Sequence, residues 1–430
     1  MAYQPVLIEG EVLAQARTYT GPADATVGIR GTHGAAIGFS DAILGRHVLF
    51  LGGIGTGKTV GMSSLVDSIR ADSRENDVFL FFDTKGDYIA RFYEEGDVSL
   101  SPDPYSHFPG ARTWNLFAEI EDVPSRDLSE VVRELTQSLM GQREDDPNRI
   151  WVAMASDLVA ALITAYARTR KPYTNVDLRA IADSVTVQQI RAILDRHPDL
   201  RGAAQYIAKD GSNTTTSVMI FVQQMLREVF AGAFRQVGDF SARHFVRDNN
   251  GRALFLEYDV SRGATATPVF RTILDLALKE ALGRGRGDGR VIVVLDEFSL
   301  LPRVAHLDPG LNFGRSLGLR FIVGTQNVGQ VMHAYGAQQG ASILSGFGTV
   351  FAFRMFDEPS RTFVRQRFGA NRKIVHYDGA LKSRGVGEQV LEGSVIEDWD
   401  LSGLNVGEAV VGLPTGPPLL FSFAPLNGAS

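Results

Sequence analysis

The stretch His47 to Thr59, HVLFLGGIGTGKT, constrains the fold more than any other part of this chain. A short apolar run, Val48 to Leu51, passes straight into Gly52, Gly53, Ile54, Gly55, Thr56, Gly57, Lys58 and Thr59, which fit the phosphate-binding P-loop pattern at every fixed position. Glycines let successive backbone N–H groups converge on a polyphosphate with no Cβ in the way. The helix-compatible run from Val60 to Arg70 follows and brings a positive N-terminal end to the same point. Lys58 is then placed to reach the β and γ phosphates, and the Thr59 hydroxyl to bind Mg2+. A ligand-free glycine-rich turn would satisfy the same letters, but strand before and helix after is the context a phosphate cradle requires.

At 430 residues the chain is long enough for about three domain-sized units, or for two in an α/β fold with insertions. A net charge of -6 shows no overall basic character, yet leaves room for a local basic channel, so it neither requires nor excludes a nucleic-acid partner. Without cysteine there are no disulfides or thiolate metal sites, as suits a reducing cytoplasm, and the histidines show no metal-ligand spacing. The N-terminus lacks the basic start and apolar core of a signal peptide. Ile150 to Ala167 is apolar almost all round, but it is short for a membrane span and carries Asp157 near its middle. It reads as a buried core helix.

Further apolar runs end in polar residues. Val78 to Phe82 stops at Asp83-Thr84-Lys85-Gly86-Asp87, Val291 to Leu295 at Asp296-Glu297, and Arg320 to Gly324 at Thr325-Gln326. Runs of this length read as buried strands, and in a parallel sheet their C-terminal edge is where ligands sit. Between Pro124 and Phe240 the apolar spacing turns helical, as at Leu128, Val132, Leu135 and Leu139, with no clear strand pattern. The expected organisation is a nucleotide-binding α/β domain in two parts, 1–123 and 241–430, around an all-helical insert at 124–240. A strand is expected over Val350 to Met355, and a helix from Thr267-Pro268 onward.

Paired acids at a strand end supply what a P-loop lacks. Asp296 would hold Mg2+ through its water shell, and Glu297 would polarise a water for attack on the γ-phosphate. The bland alternative is an acidic start to the next segment. Gln326 can hydrogen-bond near a γ-phosphate and so report hydrolysis, or be a plain turn residue. Arg315 can be a finger reaching a neighbouring subunit's site, or a surface arginine; spacing alone does not choose. Arg361, Arg365, Arg367, Arg372 and Lys373 form a basic run suited either to phosphate contacts or to a charged helix face.

Taken together, DTKGD at Asp83 to Asp87, TWNLF at Thr113 to Phe117, LDEFSLLP at Leu295 to Pro302, GRSLGLRFIVGTQNVGQV at Gly314 to Val331 and the Tyr335-Gly336 pair resemble the coupling ATPases of type IV secretion and conjugation, the TraD/TraG kind. These belong to the wider FtsK/HerA group of ring-forming translocases, and the resemblance covers about residues 45 to 415. It implies a RecA-like motor domain with an inserted all-helical domain and a homohexameric ring. It further implies ATP and Mg2+ as cofactors, and ATP-driven movement of DNA that is single-stranded or relaxase-linked. Carried over by position, Lys58 and Thr59 are the nucleotide loop, Asp296 and Glu297 the acidic pair, Arg315 the arginine acting in trans and Gln326 the glutamine motif. Members of that group usually begin with membrane-spanning helices, and none is read here. The expectation is therefore a cytoplasmic chain, either peripheral at the inner membrane beside a separate membrane or secretion-channel partner, or a DNA motor away from any membrane. The competing reading is a nucleotide-gated substrate receptor or assembly scaffold with little hydrolysis, against which an intact Glu297 speaks.

Overall fold

Every residue of the strand Val48–Leu51 is buried, and so is every residue of its two parallel neighbours, Leu319–Thr325 and Thr349–Ala352. Leu51 is level with Thr325 on one side and with Ala352 on the other. The three strands therefore deliver Gly52, Gln326 and Phe353 to one sheet edge, and their apolar runs are continuous because both faces are covered. The computed structural model describes residues 6–140, 147–169, 171–248, 250–285, 287–301, 303–378 and 386–426. The chain divides into two compact units, one of Met1–Arg74, Ile292–Ser299 and Leu311–Ser430, the other of Glu75–Val291 and Leu300–Gly310.

In the first unit Val291–Leu295 follows Leu319–Thr325 in the sheet. Past Thr349–Ala352 the sheet continues through antiparallel Glu408–Gly412 and Leu419–Ser422 to Ala14–Gln15. The helix Lys58–Ala71 buries Met62, Leu65, Val66 and Ile69, the spacing of one helix face. Under the sheet Phe50 stacks on Phe351 at 4.6 Å and Phe353 on Phe423 at 5.5 Å. Two small sheets complete the unit: Tyr19–Thr20 with Val27–Arg30 and Ala36–Phe39, and Val6–Glu9 with the hairpin Ala370–Asp378 and Val386–Ser394.

The strand expected over Val350 to Met355 ends at Ala352. Phe353 still donates its N–H to the Leu51 carbonyl at 2.7 Å, but the Arg354 carbonyl turns to accept the N–H of Gly53 at 3.0 Å. The ladder gives way to contact with the glycine loop, which the apolar letters alone do not show.

In the second unit the strands Val78–Asp83, Ala253–Glu257 and Val98–Leu100 run parallel. From 124 to 239 the described residues form helices and turns and no strand, including Leu128–Met140, Arg149–Arg168, Asn175–Ser184, Val187–Leu194 and Asn213–Val229. Thr174 and Thr186 open their helices with capping boxes, reciprocal bonds that satisfy orphan N–H groups. Among the described residues one helix, Arg149–Arg168, is long and apolar enough to cross a membrane, and Ala155 and residues 158–165 of it are buried inside the unit. The helix expected from Thr267 begins at Gly263, with Pro268 inside it. A 3-10 turn over Val260–Arg262, capped by the Asp259 carboxylate, brings the chain into helical register early.

Polar groups buried in this unit are held by several partners, as burial demands. Glu119 accepts from Trp114 Nε1, the Ser241 hydroxyl and the N–H groups of Ala242 and Arg243 at 2.7 to 3.1 Å. Burial pushes its carboxyl pKa up, and these donors pull it back. Arg290, next to the strand Val291–Leu295, makes a buried ion pair with Asp77 at 2.6 Å, its side chain 3% exposed.

Candidate nucleotide site

The loop after Val48–Leu51 is shaped by its own backbone. Gly57 has φ +104°, a left-handed conformation that L side chains rarely adopt, and a Cβ there would lie 3.0 Å from the backbone of Gly407. The Thr56 hydroxyl donates to the Gly53 carbonyl at 2.8 Å, and the Thr56 carbonyl accepts from Gly407 N at 3.0 Å. Gly52 N is tied to the Thr325 carbonyl at 3.3 Å. The loop is thus fastened on three sides, by Thr325 at the end of one flanking strand, by Arg354 just past the other and by the turn at Gly407. Lys58, first residue of its helix, folds back and donates to the carbonyls of Gly52 and Gly53 at 2.5 and 2.9 Å.

The acidic pair follows a strand of the same sheet that is separated from the loop strand by Leu319–Thr325, two spacings or about 10 Å. A Cβ on Gly324 would sit 2.4 Å from the Asp296 carbonyl oxygen and 2.8 Å from Met62 Sδ. The bare glycine thus lets the strand that leads to Gln326 pass close to the Asp296 backbone on one side and to Met62 of the following helix on the other. Asp296 is buried, and Glu297 half-buried. The Glu297 carboxylate accepts from the Ser299 hydroxyl at 2.7 Å through one oxygen and from the Gln326 amide at 2.9 Å through the other. Gly52–Thr59, Asp296, Glu297 and Gln326 therefore share one sheet edge.

Arg315 does not join them. It is exposed in the 3-10 turn Gly314–Leu317, before Leu319–Thr325, and the seven residues of that strand put it roughly 20 Å from Gln326. There it lines an open cleft of about 480 Å³ with Asp41, Asn312, Phe313 and Ser316. Its carbonyl accepts from Arg320, which is paired with Asp41 at 2.9 Å.

Between this turn and the loop strand sits His47, buried and at φ +61°. Its Nδ1 accepts the N–H of Phe321 at 3.2 Å, so Nε2 carries the proton and donates to the Leu311 carbonyl at 3.0 Å. Burial lowers its pKa from 6.5 to about 4, and the charges of Arg320 and Arg315 act in the same direction.

Two other sequence candidates turn out structural. Asp83 accepts the N–H groups of Lys85, Gly86, Tyr88 and Ile89 at 2.9 to 3.2 Å, closing the turn into the helix Asp87–Phe92. In the basic run Arg361 and Arg365 pair with Asp398 and Arg367 donates to the carbonyls of Phe347 and Gly348, all three on the helix Glu358–Phe368, whereas Arg372 and Lys373 lie on the strand Ala370–Asp378. Arg354, Gly407 and Gly324, which hold the loop and the acids, carry no motif of their own. Only an unexplained glycine at a strand end pointed to Gly324.

A parallel α/β sheet that delivers a glycine loop, paired acids and a glutamine to one edge, with a helical segment beside it in sequence, defines a RecA-like P-loop nucleotide-binding fold. The profile of the type IV secretion-system coupling protein DNA-binding domain matches residues 32–388, and the chain belongs to that family. Its fold is that of the bacterial conjugative coupling protein TrwBdeltaN70 in an unbound monoclinic form, at TM-score 0.75 and 19% identity, covering 99% of this chain and 93% of that one. The plasmid coupling protein TrwB in complex with ADP and Mg2+ matches at TM-score 0.75 and 19% identity over 100% of this chain and 97% of that one. VirB4 of Thermoanaerobacter pseudethanolicus is more distant, at TM-score 0.54 and 12% identity over 94% and 98% of the two chains. No curated protein matches the sequence.

Proposed function

We propose that this chain is an ATP-hydrolysing translocase that works as a homohexameric ring and moves DNA, single-stranded or relaxase-linked. The observation that carries the reading is the hydrogen bond from Gln326 to Glu297 on the sheet edge that also bears the glycine loop. A scaffold that only binds nucleotide has no use for a carboxylate held between Ser299 and a strand-end amide. Membership of the coupling-protein family supports it. So do the structures of TrwB with ADP and Mg2+ and with non-hydrolysable analogues of ATP and GTP.

The backbone N–H groups of Ile54 to Thr59 would cradle the phosphates, since those of Gly52 and Gly53 are taken by Thr325 and Arg354. Lys58 would exchange its loop carbonyls for charged phosphate oxygens, which are the stronger acceptors. Among the described residues no group of three or more His, Asp or Glu side chains could hold a metal alone. That fits Mg2+, which takes one or two protein ligands and completes its shell with phosphate and water. Thr59 and Asp296 would be those residues, and the ion would neutralise charge between the β and γ phosphates. Glu297 would orient and polarise the attacking water, with Gln326 sensing the γ-phosphate through the carboxylate it holds. Arg315 would act on a neighbouring copy, since its own chain places it at the far end of the strand. The helical segment 124–240 would be a domain that handles cargo, and the chain would work in the cytoplasm, peripheral at the inner membrane beside a separate secretion-channel partner.

The test is ATPase rate against protein concentration, with and without single-stranded DNA. The expected result is a cooperative onset and stimulation by DNA, both lost in Glu297→Gln. Tight ATP binding with turnover near zero in both conditions would instead make the chain a nucleotide-gated receptor.

A further inference from the structure

Phe356 is 68% exposed and lies just past the point where the chain touches the glycine loop. From Ala352 the backbone runs beside Gly52 and Gly53: Phe353 is buried, the Arg354 carbonyl accepts Gly53 N at 3.0 Å, Met355 is buried, and Phe356 faces out. The Arg354 guanidinium carbon stands 5.9 Å from the centre of the Phe356 ring, a cation over an aromatic face. Its Nε is buried without a hydrogen-bond partner. Helix capping accounts for the next residue, because the Asp357 carboxylate takes the Ser360 N–H at 3.0 Å.

We infer that Phe356 and Arg354 form the platform on which the base of the bound nucleotide stacks. The inference rests on the phosphates occupying the loop at Gly52–Thr59. With the phosphates there, a base one ribose away needs a flat apolar face beside the loop rather than within it. Ring and guanidinium offer that face, and they are tethered to the loop by backbone rather than by mobile side chains. The next polar group in the chain, the Asp357 carboxylate, is already committed to Ser360. Stacking without edge recognition favours the larger purine ring over a pyrimidine and does not separate adenine from guanine.

The experiment measures Kd of the full chain, with Mg2+, for ADP, GDP, CDP and ribose 5-diphosphate, in the wild type, Phe356→Ala, Phe356→Trp and Lys58→Ala. Expected are wild-type affinities for ADP and GDP within about twofold of each other and a weaker one for CDP. Phe356→Ala should weaken ADP roughly tenfold while leaving ribose 5-diphosphate unchanged, and Phe356→Trp should restore ADP. Wild-type affinity for ADP in Phe356→Ala, alongside lost binding in Lys58→Ala, would overturn the platform and leave the phosphate site standing. An equal loss for ADP and ribose 5-diphosphate would also overturn it, since the damage would then lie at the phosphates. Failure of the wild type to bind ADP would remove both readings.

Discussion

The side-chain amide of Gln326 lies 2.9 Å from a carboxylate oxygen of Glu297, joining the ends of two strands whose residues here are 29 apart in sequence. The other oxygen of the same carboxylate is held by Ser299 at 2.7 Å. A carboxylate pinned at both oxygens has a defined direction, and a change at Gln326 therefore changes where Glu297 points.

That arrangement separates two variants. Glu297→Gln keeps the shape and removes the charge proposed to polarise water, so kcat for ATP should fall by about 10² to 10⁴ with little change in KM. Gln326→Ala leaves the base but frees its orientation, so its loss of kcat should be smaller, and adding it to Glu297→Gln should cost nothing further. Steady-state kinetics of the two single variants and the double variant check this. Losses that multiply in the double variant would show that the residues act separately.

Gly324 is where the strand passes closest to the acids. A methyl group there would meet the Asp296 carbonyl at 2.4 Å and Met62 Sδ at 2.8 Å. The thioether can swing away, but the backbone oxygen cannot without moving Asp296. Gly324→Ala should therefore cost about 1 to 3 kcal/mol of stability and weaken Mg2+-dependent nucleotide binding together. Denaturant unfolding and nucleotide titrations with and without Mg2+ would read both. Unchanged stability would mean that the strand has room this geometry does not show.

Arg315 and Lys58 stand at opposite ends of neighbouring parallel strands, so one copy cannot bring both to one nucleotide. Arg315→Ala and Lys58→Ala should each lose most ATPase activity, by about 10³ or more for an arginine that stabilises the transition state. Mixing the two inactive proteins should restore part of it, because some neighbouring pairs then hold one intact site. A mixture as inactive as its components would exclude the action in trans.

The sequence exposed those parts of the site whose chemistry demands particular letters in a row. The glycine loop, Asp296-Glu297 and Thr325-Gln326 each end a buried apolar run, and that pattern survives without coordinates. What stayed hidden depends on partners distant in sequence. The run Val350 to Met355 reads as one strand because its letters are apolar throughout, yet Phe353 and Met355 are buried after the ladder has ended, beside the loop. Arg290 has no partner in its neighbouring letters, and the Asp77 that holds it is 213 residues away. Asp83 ends an apolar run as the others do, and nothing local shows that four N–H groups curl around it. Glycines such as Gly324 and Gly407 are needed for the space they leave, which only the neighbours reveal.

His47 makes the stability of the first unit depend on acid. With Nδ1 accepting from Phe321 and Nε2 donating to Leu311, the ring fits its pocket only when neutral, and burial beside Arg320 and Arg315 lowers its pKa to about 4 from 6.5. Between these values the unfolded chain binds a proton that the folded chain refuses, so stability falls as pH drops from about 6.5 to about 4. The full loss below that window is about 3 kcal/mol, an upper figure for the shift. His47→Asn keeps a residue that tolerates the positive φ and cannot titrate, so its stability at neutral pH should be lower while its decline from pH 6.5 to 4 becomes shallower than the wild type's. Urea midpoints at half-unit pH steps measure the difference between the two slopes. Parallel curves would show that His47 is not the group taking up the proton. Because Leu311 and Phe321 flank the turn that carries Arg315, loosening at His47 should also lower ATPase activity before global unfolding, by a fall in kcat rather than a rise in KM.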